Sequence, residues 1–174
     1  MLLRTERLSI RMFQSTDWRA VLEYTSDSNV MKYLPDGIFT EQDAKDFVNN
    51  NMNENAEKFA VILNDGNVLI GHMVFHQWYG ENTYEVGWVL HPNYYNKGFA
   101  TEAARAIVKY AFEKENIHRI IATCQPQNIP SYRIMEKIGM RREAHFKKCM
   151  PANFKKGTEW WDEYFYAILD EEWK

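Results

Sequence analysis

The sequence predicts a single domain of mixed α and β structure, and three observations support this fold class. The chain has 174 residues, about one domain at the usual 100–200 residues per domain. Its hydrophobic (45%) and charged (26%) fractions match a globular protein with its own core. Strand-like segments also alternate with helix-like segments, without an internal repeat or a long linker between them. Residues 1–174 are therefore interpreted as one domain.

The first third of the chain predicts a strand followed by two helices. Residues 8–12 alternate apolar and polar side chains, which is the pattern of a strand. Ser15 is a candidate N-cap for a helix over residues 16–24. Thr40 and Asp43 resemble a capping box, which predicts that a second helix begins there.

The middle of the chain predicts a β-hairpin. The apolar run 59–63 and the longer run 68–78 are both strand-like. Residues 64–67, Asn-Asp-Gly-Asn, join them, and this composition is typical of a tight turn.

The second half of the chain continues the alternation. A stripe of alanine and branched residues at helical spacing marks one long helix, and Gly139 is placed to end a shorter one. The predicted elements are a strand over 83–90, a helix over 100–112, a strand over 119–123, a helix over 131–137 and a strand over 159–169.

Charge and cysteine content argue against several classes of function. Lysine and arginine number 21 against 24 acidic residues, so the net charge is −3 and no direct nucleic-acid binding is expected. No apolar run approaches the ~18 residues of a membrane span, and the charged start does not resemble a signal peptide, so a cytoplasmic protein without membrane contact is expected. Cys124 and Cys149 have no C-x-x-C spacing, which favours two reduced, structural cysteines over a disulfide framework or a zinc site.

The segment 84–103 carries the clearest chemical signal. It predicts a strand, a loop and the start of a helix, where free backbone N–H groups and the helix dipole favour an anion. Gly98 allows the backbone to approach a phosphate closely, and Lys97 adds positive charge. The nucleotide motifs G-x-x-x-x-G-K-[ST] and G-x-G-x-x-G are absent from the sequence, which argues against a P-loop or a dinucleotide fold.

Several ordered motifs resemble one enzyme family. Residues 95–100, Tyr-Asn-Lys-Gly-Phe-Ala, follow the form Q/R-x-x-G-x-G/A at Gly98 and Ala100, and Tyr95 departs from it at the first position. With the segments 85–88, 100–103 and 128–140, this order resembles the GNAT family of acetyl-CoA-dependent N-acetyltransferases. Within that family it is most similar to the branch that acetylates ribosomal-protein N-termini. The resemblance extends from Thr-Glu-Arg-Leu at 5–8 to the strand at 162–169.

The resemblance implies a GNAT-like fold and a site for acetyl-CoA as cosubstrate. It implies a central twisted mixed sheet, flanked by helices on both faces, whose fourth and fifth strands splay apart to admit the pantetheine arm. Backbone N–H groups of Val89 and Leu90 would face that arm and the thioester carbonyl. The implied cofactor-binding residues are Trp88, Val89, Leu90, Tyr95, Asn96, Lys97, Gly98, Phe99, Ala100, Thr101, Asn128 and Ser131.

Catalysis requires a proton acceptor and, in many relatives, a proton donor. Glu85 is the candidate base, since an amine must lose a proton before it attacks the thioester; the alternative is a plain hydrogen-bonding role near a strand end. Many relatives place a donor tyrosine where this chain has Met135. That departure leaves Ser131, Tyr132 or no protein group as the acid. Ser131 is the favoured catalytic donor, and its alternative role is to cap the helix.

The acceptor is expected to be a primary amine, and a protein N-terminus is one possibility. Tyr33, Glu85 and Trp160 are candidate pocket residues, with Trp161 and the loop 32–37 nearby. Two alternatives stay open: acetylation of small molecules such as polyamines or antibiotics, and an acyl-CoA sensor or scaffold without turnover. The sequence leaves the oligomeric state open as well.

The remaining motifs favour structural roles. His72 and His76 are predicted to lie roughly 13 Å apart along one strand, which argues against a metal pair, and no metal is expected. His91 fits a surface loop better than a ligand contact. The segments 146–148 and 154–156, each Phe-Lys-Lys, favour a solvated hairpin over a nucleic-acid patch.

Overall fold

The computed structural model describes residues 2–152 and 159–174, which form an eight-stranded mixed sheet with helices on both faces. The spatial order of the strands is β1-β2-β3-β4-β5-β6-β8-β7. The strands are β1 (Leu2–Arg4), β2 (Leu8–Arg11), β3 (Lys58–Leu63), β4 (Val68–Gln77), β5 (Thr83–Leu90), β6 (Arg119–Cys124), β7 (Arg141–Pro151) and β8 (Trp160–Leu169). The helices are α1 (Trp18–Thr25), α2 (Glu41–Asn50), α3 (Phe99–Lys114) and α4 (Ile129–Lys137).

The sheet opens between its two central strands. Every other neighbouring pair is antiparallel, but β5 and β6 run parallel and α3 connects them. Their register holds for three residue pairs, Thr83 with Arg119, Tyr84 with Ile120 and Glu85 with Ile121, and ends there. The splay expected from the resemblance is therefore present. It lies between the fifth and sixth strands rather than the fourth and fifth, because the N-terminal segment supplies two strands instead of one.

Two apolar layers sandwich the sheet. The larger layer lies under α3 and α4, where Ala103, Ile107 and Val108 are fully buried against the strands. The smaller layer lies under α1 and α2 and includes Val21 and Val48. Because side chains alternate along each strand, one sheet supplies apolar residues to both layers.

Several predicted elements are confirmed. The hairpin joins β3 to β4 through the turn at residues 64–67, where Gly66 adopts φ 77°. The second helix begins after Thr40, whose hydroxyl accepts the Asp43 N–H at 3.2 Å while the Asp43 carboxylate accepts the Thr40 N–H at 2.8 Å. The strand over 83–90 has the predicted bounds.

Other predictions at the level of elements were wrong or incomplete. Ser15 does not cap α1, because residues 15–17 form a short 3-10 turn and α1 begins only at Trp18. The Gln14 N–H before this turn donates to the Asp17 carboxylate at 2.8 Å. The strand β1 was not predicted, and β7 was predicted only as part of a solvated hairpin at residues 146–148. Phe146 lies in β7, which pairs with β8, whereas the segment 154–156 lies outside the described residues. No described helix is both long enough and apolar enough to cross a membrane.

Candidate active site

The splay leaves backbone donors of β5 without a partner strand. The His91 N–H donates to the Ile70 carbonyl on β4 at 2.8 Å, and no register shift interrupts the pairing of β4 with β5. Since successive backbone groups of a strand point to opposite sides, the Val89 N–H also faces β4. The N–H groups of Trp88 and Leu90 therefore face the gap. The sequence-based interpretation expected this of the Val89 and Leu90 N–H groups, so the structure agrees with it at Leu90 and differs from it at Val89.

Glu85 lies where the two strands part. Its residue pair with Ile121 is the last one before the gap, and its carboxylate is only 19% exposed. Glu85 Oε2 lies 3.4 Å from His76 Nε2 on β4, and the Thr123 hydroxyl donates to Glu85 Oε1 at 3.4 Å. The hydrogen bond to Glu85 raises the pKa of His76 above its ordinary value. A carboxylate with a titratable neighbour therefore stands at the closed end of the gap, where β5 and β6 separate.

A second carboxylate shares this face of the sheet. Glu163 lies on β8, is nearly buried, and is within hydrogen-bonding reach of Thr123. Burial raises the pKa of Glu163, and the charge of Glu85 raises it further. The Cys149 thiol donates to Glu163 Oε2 at 3.7 Å. Glu163 is not among the residues predicted from the sequence; the signal that points to it is an acidic residue on the inward side of an aromatic-rich strand.

The loop before α3 has the backbone of an anion site. Gly98 adopts φ 81° and Asn96 φ 59°, both in the left-handed region. The first hydrogen bond of the helix runs from the Glu102 N–H to the Gly98 carbonyl at 3.0 Å. The N–H groups of the first helical turn precede that bond and point out of the helix end. They belong to Phe99, Ala100 and Thr101.

The side chains of the loop add positive charge and aromatic surface. Lys97 is exposed, and its ammonium lies 5.4 Å from the centre of the Tyr94 ring. Tyr95 is 46% exposed, and partial burial raises its pKa. A residue with a Cβ would be strained at the positive φ of Gly98. The free backbone N–H groups and the exposed Lys97 together fit an anion such as a diphosphate.

The start of α4 borders the other side of the gap. Asn128 is the N-cap position, and Ser131 lies inside the first turn, so Ser131 is not the cap. The Ser131 hydroxyl is hydrogen-bonded to the thiol of Cys124, the last residue of β6; burial raises the pKa of that thiol to about 12. Tyr132 instead packs edge-on against Tyr164, with ring centres 5.8 Å apart.

Two further candidates differ in their placement. The Tyr33 hydroxyl donates to the Gln127 carbonyl at 3.2 Å, so the segment between α1 and α2 reaches the loop between β6 and α4. Trp160 is 52% exposed, and strand alternation places it on the opposite face of β8 from Glu163. Trp161, the next residue, shares the face of Glu163. The structure therefore brings Tyr33 to the gap but does not bring Trp160 to Glu85.

The other histidines have structural surroundings. His72 is buried, its Nδ1 lies 2.7 Å from the Tyr24 hydroxyl, and burial lowers its pKa to about 3. His91 accepts the Asn93 N–H at 3.2 Å, which stabilises the turn after β5. Within residues 2–152 and 159–174, no group of three His, Cys, Asp or Glu side chains is placed to hold a metal ion.

Comparison with protein families gives one match over most of the chain. The family model described as "Acetyltransferase (GNAT) domain" matches residues 7–141. That span contains Glu85, the loop before α3 and the start of α4.

Individual relatives agree with that match. The chain is 68% identical to a Bacillus subtilis (strain 168) protein named "Uncharacterized N-acetyltransferase YnaD", over 97% of each chain. A solved acetyltransferase (GNAT family) from Bacillus anthracis is 62% identical and superposes with a TM-score of 0.93, covering 99% of this chain and 100% of that one. A spermidine N-acetyltransferase from Vibrio cholerae, solved with CoA and spermine, shares the fold at 22% identity and a TM-score of 0.79, covering 97% and 98%.

Proposed function

The chain belongs to the GNAT acetyltransferase family and is an N-acetyltransferase acting on an amine; from this premise we propose that it acetylates a primary amine, first of all a protein N-terminal amine. The acetyl donor is acetyl-CoA, and the amine attacks the thioester directly. The observation that carries the proposal is the position of Glu85 at the point where β5 and β6 separate. A base there stands beside any thioester that enters the gap.

The residues around the gap fit acetyl-CoA. We assign the N–H groups of Trp88 and Leu90 to the pantetheine arm and the thioester oxygen, because both face the gap without a partner strand. We assign the backbone from Asn96 to Thr101, with Lys97, to the diphosphate. Main-chain donors aimed at the carbonyl oxygen would stabilise the negative charge that develops there during attack.

Glu85 supplies the base that the reaction needs. An amine is mostly protonated at pH 7, and only its neutral form attacks the thioester. Glu85 takes that proton directly or through one water. His76 lies 3.4 Å from Glu85 and is 24% exposed, so it offers a route from the carboxylate to solvent.

Bond changes during transfer are simple. The nitrogen–carbon bond forms, the carbon–sulfur bond breaks, and CoA leaves as a thiolate that takes up a proton. Ser131 is the proposed donor of that proton: its hydroxyl gives a proton to the thiolate as it takes one up from solvent, so no alkoxide forms. Its hydrogen bond with Cys124 lies at the end of β6 beside the gap, whereas the Tyr132 ring packs against Tyr164.

Two carboxylates favour an acceptor that arrives as a cation. Glu85 and Glu163 lie on one face of the sheet, with Thr123 between them. An ammonium group is stabilised near such a pair before it loses its proton. Small polyamines are therefore the second candidate class of acceptor, since they carry more than one positive charge.

The test is a turnover assay with a panel of acceptors. Purified protein is mixed with acetyl-CoA and with N-terminal peptides, polyamines or aminoglycosides, and free thiol is followed against an acceptor-free control. We expect thiol release to accelerate with at least one N-terminal peptide, and the Glu85→Gln protein to lose that acceleration. Acceleration by polyamines alone would replace the N-terminal proposal with the second candidate. Thiol release that no acceptor accelerates would contradict the proposed function.

A further inference from the structure

The segment between β1 and β2 is fastened to the start of α3. The Thr5 hydroxyl donates to Glu102 Oε1 at 2.5 Å, and the Arg7 N–H donates to the same oxygen at 3.0 Å. Arg7 Nε donates to Glu102 Oε2 at 2.6 Å, and Arg7 Nη2 lies 2.6 Å from that oxygen. Two arms of the guanidinium fork thus converge on one carboxylate oxygen, and charge-assisted hydrogen bonds of this kind are directional.

Arg7 also reaches the loop itself. Its Nη1 donates to the Lys97 carbonyl at 3.0 Å, and its guanidinium lies 4.5 Å from the centre of the Phe99 ring. One side chain therefore contacts the residues on both sides of Gly98. In a trans peptide the C=O and N–H point in opposite directions, so a Lys97 carbonyl held toward Arg7 turns the Gly98 N–H away from it. That orientation leaves the Gly98 N–H open to an anion.

The Arg7–Glu102 pair also compensates a negative charge at the start of α3. Glu102 is 19% exposed in the first turn of α3, where its negative charge would repel a diphosphate bound at the helix end. Burial would raise the pKa of Glu102, but hydrogen bonds from Thr5 and Arg7 outweigh burial and lower it. The carboxylate therefore stays ionised, and Arg7 compensates its charge.

We propose that Arg7 is a positioning residue for acetyl-CoA: it fixes the backbone of the loop at Lys97 and Gly98 and neutralises Glu102. It acts on the bound diphosphate through the loop and does not contact the reacting atoms. The inference rests on the proposed function, because it assumes that this loop holds the diphosphate.

The experiment compares Arg7→Gln with a matched control. Arg11→Gln removes a similar arginine, which binds Asp17 at 2.7 Å and the Met12 carbonyl at 2.9 Å between β2 and the turn before α1. Calorimetric titration with CoA gives the Kd of each protein. We expect Arg7→Gln to raise the Kd about tenfold and Arg11→Gln to leave it unchanged. Adding Glu102→Gln to Arg7→Gln should recover part of the affinity, since it removes the uncompensated charge.

A second readout separates positioning from general distortion. S-acetylpantetheine carries the thioester but no diphosphate, so its kcat/KM should be equal in the wild-type and Arg7→Gln proteins, while KM for acetyl-CoA rises and kcat changes little. An Arg7→Gln protein that binds CoA as tightly as the wild type would overturn the inference, and so would an equal loss of kcat/KM with acetyl-CoA and with S-acetylpantetheine.

If Arg7→Gln does not fold, the Kd of Arg7→Lys for CoA serves as the test instead, since lysine keeps the charge without the forked guanidinium. A wild-type protein that fails to bind CoA would overturn the proposed function itself.

Discussion

Glu85 and His76 face each other across the register of β4 and β5, and this pairing controls how His76 titrates. A hydrogen bond to a carboxylate favours the charged form of the imidazole, which is why the pKa of His76 is raised. The strand over 83–90 could be predicted from its sequence pattern, and strand alternation then puts Glu85 on one face with Gly87. It could not predict His76 or Thr123 as partners, because strand pairing between distant segments determines those contacts.

Replacing Glu85 by glutamine should separate catalysis from binding. We expect turnover at neutral pH to fall by about 100-fold or more, because the base is lost, while the Kd for CoA changes little. The pKa of His76 should fall toward its ordinary value, as seen in an NMR titration of its ring protons. Glu57→Gln is the control, since this glutamate is 59% exposed and has a weaker effect on His76. Unchanged turnover in Glu85→Gln would remove Glu85 from the mechanism.

Gly98 and Gly66 form a matched pair for testing the loop before α3. Both have positive φ, 81° and 77°, so alanine at either position should cost about 1 kcal/mol of stability. Gly98→Ala should also weaken CoA binding, roughly tenfold, because the proposed diphosphate site depends on the left-handed backbone that glycine allows at this position. Gly66→Ala lies in the β3–β4 turn and should leave CoA binding unchanged. Equal CoA affinities in the two variants would contradict the assignment of the loop.

At the level of elements, local sequence signals predicted the structure correctly where both interacting residues lie within a few positions of each other. The Thr40 box and the β3–β4 turn are each complete within a few residues, so the sequence predicted them. The prediction for Ser15 was wrong because the Asp17 carboxylate, held by Arg11 from β2, accepts the Gln14 N–H and stabilises a 3-10 turn that includes Ser15. The strand β7 is mostly exposed and polar, and only its pairing with β8 makes it a strand.

The open edge of β5 gives a prediction for hydrogen exchange. The amides of Trp88 and Leu90 face the gap and should exchange rapidly in the free protein, whereas the amide of Val89 is directed to β4 and should be protected. Saturating CoA should slow exchange at Trp88 and Leu90 and leave Val89 nearly unchanged, measured residue by residue by NMR. Protection of Trp88 and Leu90 without CoA would contradict the assignment of free donors.

At the scale of the whole molecule, the site joins parts that lie far apart in the chain. Glu85 comes from β5, Glu163 from β8 and Tyr33 from the segment between α1 and α2. Motif resemblance could locate the loop before α3, since that motif is continuous in sequence. Glu163 and Arg7 acquire their surroundings only through the packing of separate elements. The sequence could therefore place Glu163 on a strand and Arg7 within a motif, but it could not predict what either side chain contacts.

A buried pair holds the α1 layer to the sheet. The hydroxyl of Tyr24, on α1, meets His72 of β4 inside the smaller apolar layer, and the Phe47 ring of α2 packs 4.9 Å from the imidazole. Burial disfavours an imidazolium there, because a charge would lose its hydration without gaining a counterion. His72 is therefore neutral in the folded protein across the physiological range of pH.

This burial makes stability depend on acid in a defined window. Folding lowers the pKa of His72 from 6.5 to about 3. Above pH 6.5 His72 is therefore neutral in both the folded and the unfolded state, and its titration does not reduce the free energy of unfolding. Between pH 6.5 and 3 the unfolded chain binds one more proton at this residue, and stability falls by about 1.4 kcal/mol per pH unit. Denaturant unfolding at several pH values should show this extra slope in the wild type and in a His118→Gln control, whose histidine is exposed. The slope should be absent from His72→Gln; an identical pH dependence in all three proteins would show that His72 accepts a proton in the folded state.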